Sequence, residues 1–347
     1  MTHRFPIKEI ALQAGLSTAT IDRAINGRAH VSPQTKARVA AAIEELETQE
    51  AQLAARGRRM FFDFVIEAPA RFSREVQNAA LSVLPQVGVA VCRPRFLTQE
   101  IMQDGDAARA LARIAQRGSH GVCLKARDLP EIRAGVERLV AAGIPLVSLV
   151  TDIQTPARTA YVGLDNHSAG ATAAYLMSRA LAPGPGRVLA MRSNDRFLGE
   201  EEREAAFTKT LSEMRPELAI CHVSGGAGVA FETARLLDGL IEQLDDLRAV
   251  YSMGGGNRTI LDVLRQNRYC PDIFIAHDLD RDNRGLIAEG PISFILHHDL
   301  RADMANVFQA FLQFHKLAAG VPSRAMSNVQ VITPENIPRA CGGENPR

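Results

Sequence analysis

The sequence predicts two unlike parts: a small N-terminal all-α helix-turn-helix domain, then a large α/β domain of two lobes with two parallel sheets. Three observations predict this. Residues 7–56 show helical periodicity and short polar joints, with no strand-like run. From Met60 onward, short β-type runs alternate with longer amphipathic stretches, the pattern of a parallel sheet covered by helices. About ten such runs follow, too many for one compact sheet, so two lobes are expected.

The first segment reads IKEIALQAGLSTATIDRAIN over residues 7–26. Each key position has a steric task. Two short helices crossing steeply need a small side chain where they touch, and Ala11 supplies it. The turn between them needs a residue that tolerates positive φ, and Gly15 does. Ser17 stands where the second helix starts and is a capping residue. Ile10, Leu16, Ile21 and Ile25 form an apolar stripe that faces a third helix, which begins at Ser32 with Pro33 in its first turn.

The second helix is the element expected in a DNA major groove. Its leading side chains are Thr18 and Ala19, with Arg23 one turn on. Arg23 is the best base reader, because a planar guanidinium pairs with guanine O6 and N7. Ser17, Asn26, His30, Ser32 and Thr35 are placed to hold phosphates. A plainer reading stands beside each: Ser17 and Ser32 as helix caps, Asn26 as a helix end. Asp22 on the same face repels phosphate unless a base or an arginine answers it.

ETQEAQLAARGRR, residues 47–59, joins the two parts as a polar, alanine-rich linker with a basic end. Beyond it the β-type runs are MFFDFVI at 60–66, VGVAVC at 87–92, HGVCLKA at 120–126, IPLVSLV at 144–150 and RVLAMRS at 187–193. LAICHVS at 218–224, LRAVYSM at 247–253, IFIAHD at 273–278, ISFILHH at 292–298 and VQVIT at 329–333 follow.

The bulk numbers narrow the function classes. A chain of 347 residues with 46% hydrophobic content has room for two or three domains. A formal charge of +1 gives no whole-chain hint of a nucleic-acid partner, so local features carry that reading. Five scattered cysteines, Cys92, Cys123, Cys221, Cys270 and Cys341, show no CxxC pair. They argue against a disulfide framework or a zinc site and for a reducing, cytoplasmic setting. No secretory signal and no apolar stretch of ~20 residues is seen, so no membrane partner is expected.

The stretch IKEIALQAGLSTATIDRAINGRAHVSPQTKARVAAAIEEL resembles the lactose-repressor (LacI) family, where such a helix-turn-helix is followed by NG, V-S-x-x-T and a third helix. The resemblance resumes in YVGLDNHSAG (161–170), EEREAAF (201–207), GGGNRTI (254–260), AHDLD (276–280) and FILHHD (294–299), which look like successive signatures of the type I periplasmic-binding-protein-like fold. The resemblance implies a helix-turn-helix domain at 1–46, a hinge or linker at 47–59 and an effector-binding domain at 60–347. Within the last, it implies an N-lobe of about 60–162 and 299–327 and a C-lobe of about 163–298 and 328–347. Leu53 looks like the family's minor-groove hinge leucine, although the segment before it is short and lacks the usual Pro and Asn. Pro6 stands where a Ser or Thr cap is usual.

A two-lobed α/β protein binds its ligand between the lobes, near the C-terminal ends of strands. Polar residues that end or follow strands are therefore candidates: Asp152, Arg192, Asn257, Asp278 and His298. The resemblance places Arg203, Asp278 and His298 at sugar-contacting positions, with His298 where Gln is common. Arg71 and Phe72 offer a side contact and a stacking ring after the first strand. These groups suit a hydroxyl-rich ligand. Asp165 and Asn166 read as hinge structure. GGGN at 254–257 lacks the spacing of a nucleotide loop and reads as a close approach of backbone to cleft.

The expectation is a homodimeric, cytoplasmic transcription regulator, a repressor, on a near-palindromic DNA operator, controlled by a sugar-like effector. No cofactor, metal site or catalytic constellation is expected. His297 and His298 are adjacent on a strand and point apart. The rivals are a solute-binding protein of the same fold, an effector-dependent activator and an enzyme on this scaffold.

Overall fold

The computed structural model describes residues 4–28, 31–55, 59–88 and 90–338, the side chains of 51–55 excepted. Three helices come first: α1 (Ile7–Ala14), α2 (Thr18–Ile25) and α3 (Pro33–Ala55). Pro6 opens α1 without a side-chain cap, its φ fixed at −57° and its carbonyl accepting from Glu9 N–H at 2.9 Å. Gly15 closes α1 at φ 61°. Ser17 Oγ accepts from Thr20 N–H at 3.2 Å and starts α2. Ile10, Ala11, Ala14 and Ile21 are buried against Val39, Ala42 and Leu46 of α3, with Leu16 and Ile25 at the margin. Gln13 Nε2 donates to Glu45 Oε2 at 2.6 Å, a further tie between α1 and α3.

The third helix does not stop near residue 46. It continues unbroken to Ala55, so most of the expected 47–59 linker is helical. The reason is local: ETQEAQLAA has no Gly or Pro and is rich in good helix formers. Leu53 lies within α3, but its side chain falls outside the described residues, as does all of His30.

The large part contains two six-stranded sheets. The first lobe alternates β1 (Arg59–Glu67), α4 (Ala70–Val83), β2 (Val91–Gln99), α5 (Asp106–Arg117), β3 (Gly121–Lys125), α6 (Pro130–Ala141), β4 (Leu146–Leu149) and β5 (Ala160–Leu164). The chain then enters the second lobe through α7 (Asn166–Ala180), β6 (Gly186–Arg192), α8 (Leu198–Met214), β7 (Leu218–Ser224), α9 (Ala230–Asp238) and β8 (Leu247–Ser252). That lobe continues with α10 (Asn257–Gln266), β9 (Ile273–His277), α11 (Arg281–Glu289) and β10 (Phe294–His297). Helix α12 (Leu300–Phe314) and β11 (Ala325–Ser327) return to the first lobe, and β12 (Gln330–Ile332) closes the second. The chain therefore passes between lobes three times.

The sheet orders are β2-β1-β3-β4-β5-β11 and β7-β6-β8-β9-β10-β12. All pairings are parallel except β10 with the edge strand β12. In the first lobe α12 packs its Met304, Val307, Phe308 and Phe311 on the β1 side chains Phe62 and Phe64. Phe62 and Phe311 stack at 4.9 Å between ring centres.

Two strand readings differ from the expectation. β2 runs over 91–99, later than VGVAVC at 87–92, and contains Pro94. It is an edge strand bonded only to β1, so the missing Pro N–H costs no ladder bond. β5 and β11 lie outside the expected runs; β11 has only three residues.

Candidate functional site

Two surfaces carry candidate chemistry. On α2, Thr18, Ala19 and Arg23 are exposed on one short helix. Arg23 Nε donates to the Ala19 carbonyl at 3.1 Å, which leaves the outer edge of the guanidinium free to turn outward. Ser17 and Ser32 both act as caps: Thr35 N–H donates to Ser32 Oγ at 3.1 Å, and Thr35 Oγ1 lies 2.8 Å from it. Asn26 ends α2 and donates through Nδ2 to Asp22 Oδ1 at 2.8 Å. Asp22 also pairs with Arg28 at 3.1 Å, so its charge is answered on the face that would otherwise repel phosphate.

The second surface is the cleft between the lobes. Both strand orders reverse beside their first strand, between β1 and β3 and between β6 and β8. A crevice opens at the carboxyl ends of strands at such a switch point. The residues found there are Ala68 and Pro69 after β1, Lys125 ending β3, Ser193 after β6, and Met253 and Gly254 after β8. Gly254 is required by space: a Cβ there would lie 2.2 Å from Ser193 Cβ. Phe72, Phe197, Glu200, Arg203, His277 and Asp278 also line the wall, with Arg71, Glu100 and Asp280.

The cleft is closed. About 50 Å³ of free space remains, against ~300–1,000 Å³ for ordinary ligand pockets. Arg71, on α4 of the first lobe, reaches across to Asp280 (Nε to Oδ2, 2.9 Å) and to the Gly228 carbonyl (3.1 Å) in the second. Asp128 N–H also donates across to the Arg196 carbonyl at 2.8 Å.

Of the eight expected effector residues, Arg71, Phe72, Arg203 and Asp278 line this cleft. The other four lie off its wall. Asp152 is turned away and gripped by Arg158 (2.6 and 2.7 Å) and by the Ser148 hydroxyl at 2.7 Å. Arg192 faces Glu204 at 2.8 Å, with Asp195 and Glu201 beside it. Asn257 is buried and donates to Asn283 Oδ1 at 2.9 Å. His298 is wholly buried behind the wall, where its Nε2 stands 3.4 Å from Asp278 Oδ1. Asp165 caps α7 through Ser168 N–H, and Asn166 accepts from Arg203 Nε at 2.7 Å.

Charge is distributed unevenly here. Burial by itself would raise Asp278, but the hydrogen bond and charge of His298 prevail and hold its carboxyl well below the usual range. Burial opposes a charge on His298. The two carboxylates against its ring, Asp278 and Asp303, outweigh that and push it up to about 9. His277 is driven the other way by burial and stays neutral, its Nε2 2.7 Å from the Tyr251 hydroxyl.

Several wall residues lie outside the sequence reading, Lys125, Glu200 and Phe197 among them. Lys125 ends an otherwise apolar strand, and that lone charge was the available signal. Glu200 was hidden in the acidic run of α8, and nothing in the sequence marks Phe197, which precedes that helix. Among the described residues no group of His, Cys, Asp and Glu has the arrangement of a metal site. Nor is any helix among them long and apolar enough to cross a membrane.

A family model for the periplasmic binding protein domain matches residues 103–313, and one for bacterial regulatory proteins of the lacI family matches residues 6–48. The chain belongs to the periplasmic binding protein domain family and carries a lacI-family helix-turn-helix domain. The fold is similar to that of GanP, a glucose-galactose binding protein from Geobacillus stearothermophilus. The TM-score is 0.72 at 16% identity, over 81% of this chain and 100% of that one. A protein from Bacteroides fragilis assigned as a LacI transcriptional regulator aligns with TM-score 0.70 and 18% identity, over 80% of this chain and 98% of that one. A solute-binding protein from Burkholderia graminis C4D1M, solved with D-arabinose, gives 0.72 and 17%, over 80% and 96%. No curated protein sequence matches the chain.

Proposed function

We propose that this protein is a sugar-responsive transcription repressor of the lacI family that acts in the cytoplasm as a homodimer. The observation that carries the reading is the pairing, in one chain, of a lacI-family helix-turn-helix with a closing two-lobed cleft. In this reading Thr18, Ala19 and Arg23 read base edges, while Ser17, Asn26, His30, Ser32 and Thr35 position the domain on phosphates. Leu53 meets the minor groove. Two copies meet two half-sites of a near-palindromic operator.

Arg71, Phe72, Arg203 and Asp278 then hold the effector directly. Asp152, Arg192, Asn257 and His298 support the wall from behind. The sugar-binding structures that share this fold favour a hydroxyl-rich ligand, and so do the wall's donors and acceptors. The effector acts by binding one lobe arrangement better than the other. The three chain crossings let the lobes turn, and α3 passes the change to the reader.

The test is a mobility shift of the full chain on duplex fragments from around its own coding region, at several salt concentrations. Selective, salt-sensitive retardation is expected. Equal retardation of unrelated DNA overturns the reading. A solute-binding role without DNA would leave every fragment unshifted, and an activator would raise rather than lower transcription from the bound site in a purified system.

A further inference from the structure

The carboxylates and the cations of the cleft are served differently. Each carboxylate on the wall has a hydrogen-bond donor or a cation of its own. Glu100 accepts from Ala70 N–H at 3.0 Å. Glu200 takes both the N–H and the hydroxyl of Ser193 at 2.6 Å each. Asp278 faces the His298 ring, and Asp280 holds Arg71 and Asn283 N–H.

Two of the three cations lack the converse. Lys125 is buried, 9% exposed, and Nζ makes one hydrogen bond, to the Glu67 carbonyl at 3.0 Å. Arg203 is 3% exposed and gives Nε to Asn166 Oδ1 and Nη1 to the Met253 carbonyl. Among the described residues, no carboxylate oxygen lies within the 4.0 Å ion-pair distance of either. An ammonium has three donors and a guanidinium five, so both retain unspent N–H groups on one cleft. A buried charge answered only by neutral acceptors is costly, and a well-placed opposite charge offsets part of that cost.

The surroundings of Lys125 sharpen the point. Nζ lies 4.1 Å from the Phe197 ring centre and 5.7 Å from that of Phe72. The two rings flank the buried ammonium, and burial strengthens any charge contact made there. Burial pulls the pKa of Lys125 down, with Glu200 and Glu67 opposing at longer range.

We infer that the effector is an anionic polyol, a sugar acid or a phosphorylated sugar, whose negative group sits on Lys125 Nζ with Arg203 beside it. This rests on the regulator reading above and names the ligand class of that same cleft.

The experiment is calorimetric titration and thermal shift of the full chain. The probes are D-gluconate, D-galacturonate, D-glucose 6-phosphate and D-ribose 5-phosphate, each with its neutral counterpart D-glucose, D-galactose or D-ribose. At least one anion is expected to bind ten times or more tighter than its neutral counterpart. Whether that anion is a carboxylate or a phosphate separates the two sources. Lys125→Met should weaken that anion at least tenfold and narrow the gap to the neutral sugar. Lys125→Arg, which keeps the charge, should retain most of the preference. Circular dichroism of both variants reports folding.

Neutral sugars binding as tightly as the anions overturn the inference, as does an anion affinity untouched by Lys125→Met. Binding by no anionic member of the panel overturns it too. DNA binding is scored on the same preparations. Intact DNA selectivity without anion preference therefore counts against the charge assignment alone.

Discussion

His298 Nδ1 lies 2.5 Å from Asp303 Oδ2, and both side chains are wholly buried. His298 directly follows β10 at one of the three lobe crossings, and Asp303 is on α12 in the first lobe. The same ring turns Nε2 toward Asp278 on the cleft wall, and Ser327 on β11 donates its hydroxyl to Asp303. A cleft carboxylate is thus joined through one imidazolium to the element that carries the chain between lobes. Asp278 is itself held at φ 63°, an uncommon backbone state for a non-glycine residue, with its carbonyl accepting from Asn283 Nδ2 at 2.7 Å.

This arrangement makes stability depend on pH in a definite sense. His298 is raised in the fold to about 9, so its contribution is complete below its ordinary ~6.5. That contribution is lost as pH rises through about 9. It amounts to a few kcal/mol for a group so deeply buried. Asp278 is held low, so its share is present above ~3.9 and is lost as pH falls through its depressed value. His277 and His297, kept neutral chiefly by burial, add to the loss below about pH 6.5. Urea midpoints of the parent should drop between pH 7 and pH 10, and His298→Gln should flatten that limb. An identical slope in the two proteins contradicts the assignment.

The Arg71–Asp280 pair spans the two lobes of the closed cleft. Asp280→Asn keeps the cap on α11, since an amide oxygen still accepts from Asn283 N–H, but it removes the charge that holds Arg71. Small-angle scattering of the ligand-free variant should show a larger radius of gyration than the parent. Unchanged scattering means the latch lies elsewhere, in contacts such as Asp128 N–H with the Arg196 carbonyl.

Gly170 lets α7 lie tightly against α8. A Cβ there would sit 2.1 Å from the Arg203 carbonyl oxygen, a backbone atom that has no rotamer to escape into. Gly170→Ala should cost about 1–3 kcal/mol of stability through overpacking. It should also weaken effector binding, because the displaced segment carries Arg203. A melting temperature equal to that of the parent would show that α8 shifts freely.

Arg23→Ala should cost about 1–3 kcal/mol on a specific site and relax preference at one base position. The log–log salt slope should scarcely change if Arg23 reads a base, and should fall by about one if it holds a phosphate. Binding titrations at four salt concentrations separate these roles.

Much of this was legible in the sequence, for physical reasons that differ by residue. Ala11, Gly15 and Ser17 act within one short helix-turn-helix, so spacing alone exposes their tasks. The alternation of strands and helices announced two parallel-rich sheets, because buried parallel strands are short apolar runs. What failed to show was direction. A residue placed just after a strand is near the cleft, but the next backbone turn decides where its side chain points. Asp152 and Arg192 therefore found arginine and glutamate partners off the wall, while Asp278 stayed on it. Lys125 went unread because a charge at the end of an apolar strand resembles a surface residue until the opposite lobe covers it.

In the proposed regulator, occupancy of the cleft governs the helix-turn-helix. The deciding measurement is fluorescence anisotropy of the full chain on its selected duplex, repeated at saturating concentration of a compound shown by calorimetry to bind. DNA affinity should change at least tenfold, a coupling of about 1.4 kcal/mol or more, and Arg203→Ala should abolish the change. Identical DNA affinity with the cleft empty and filled would contradict it.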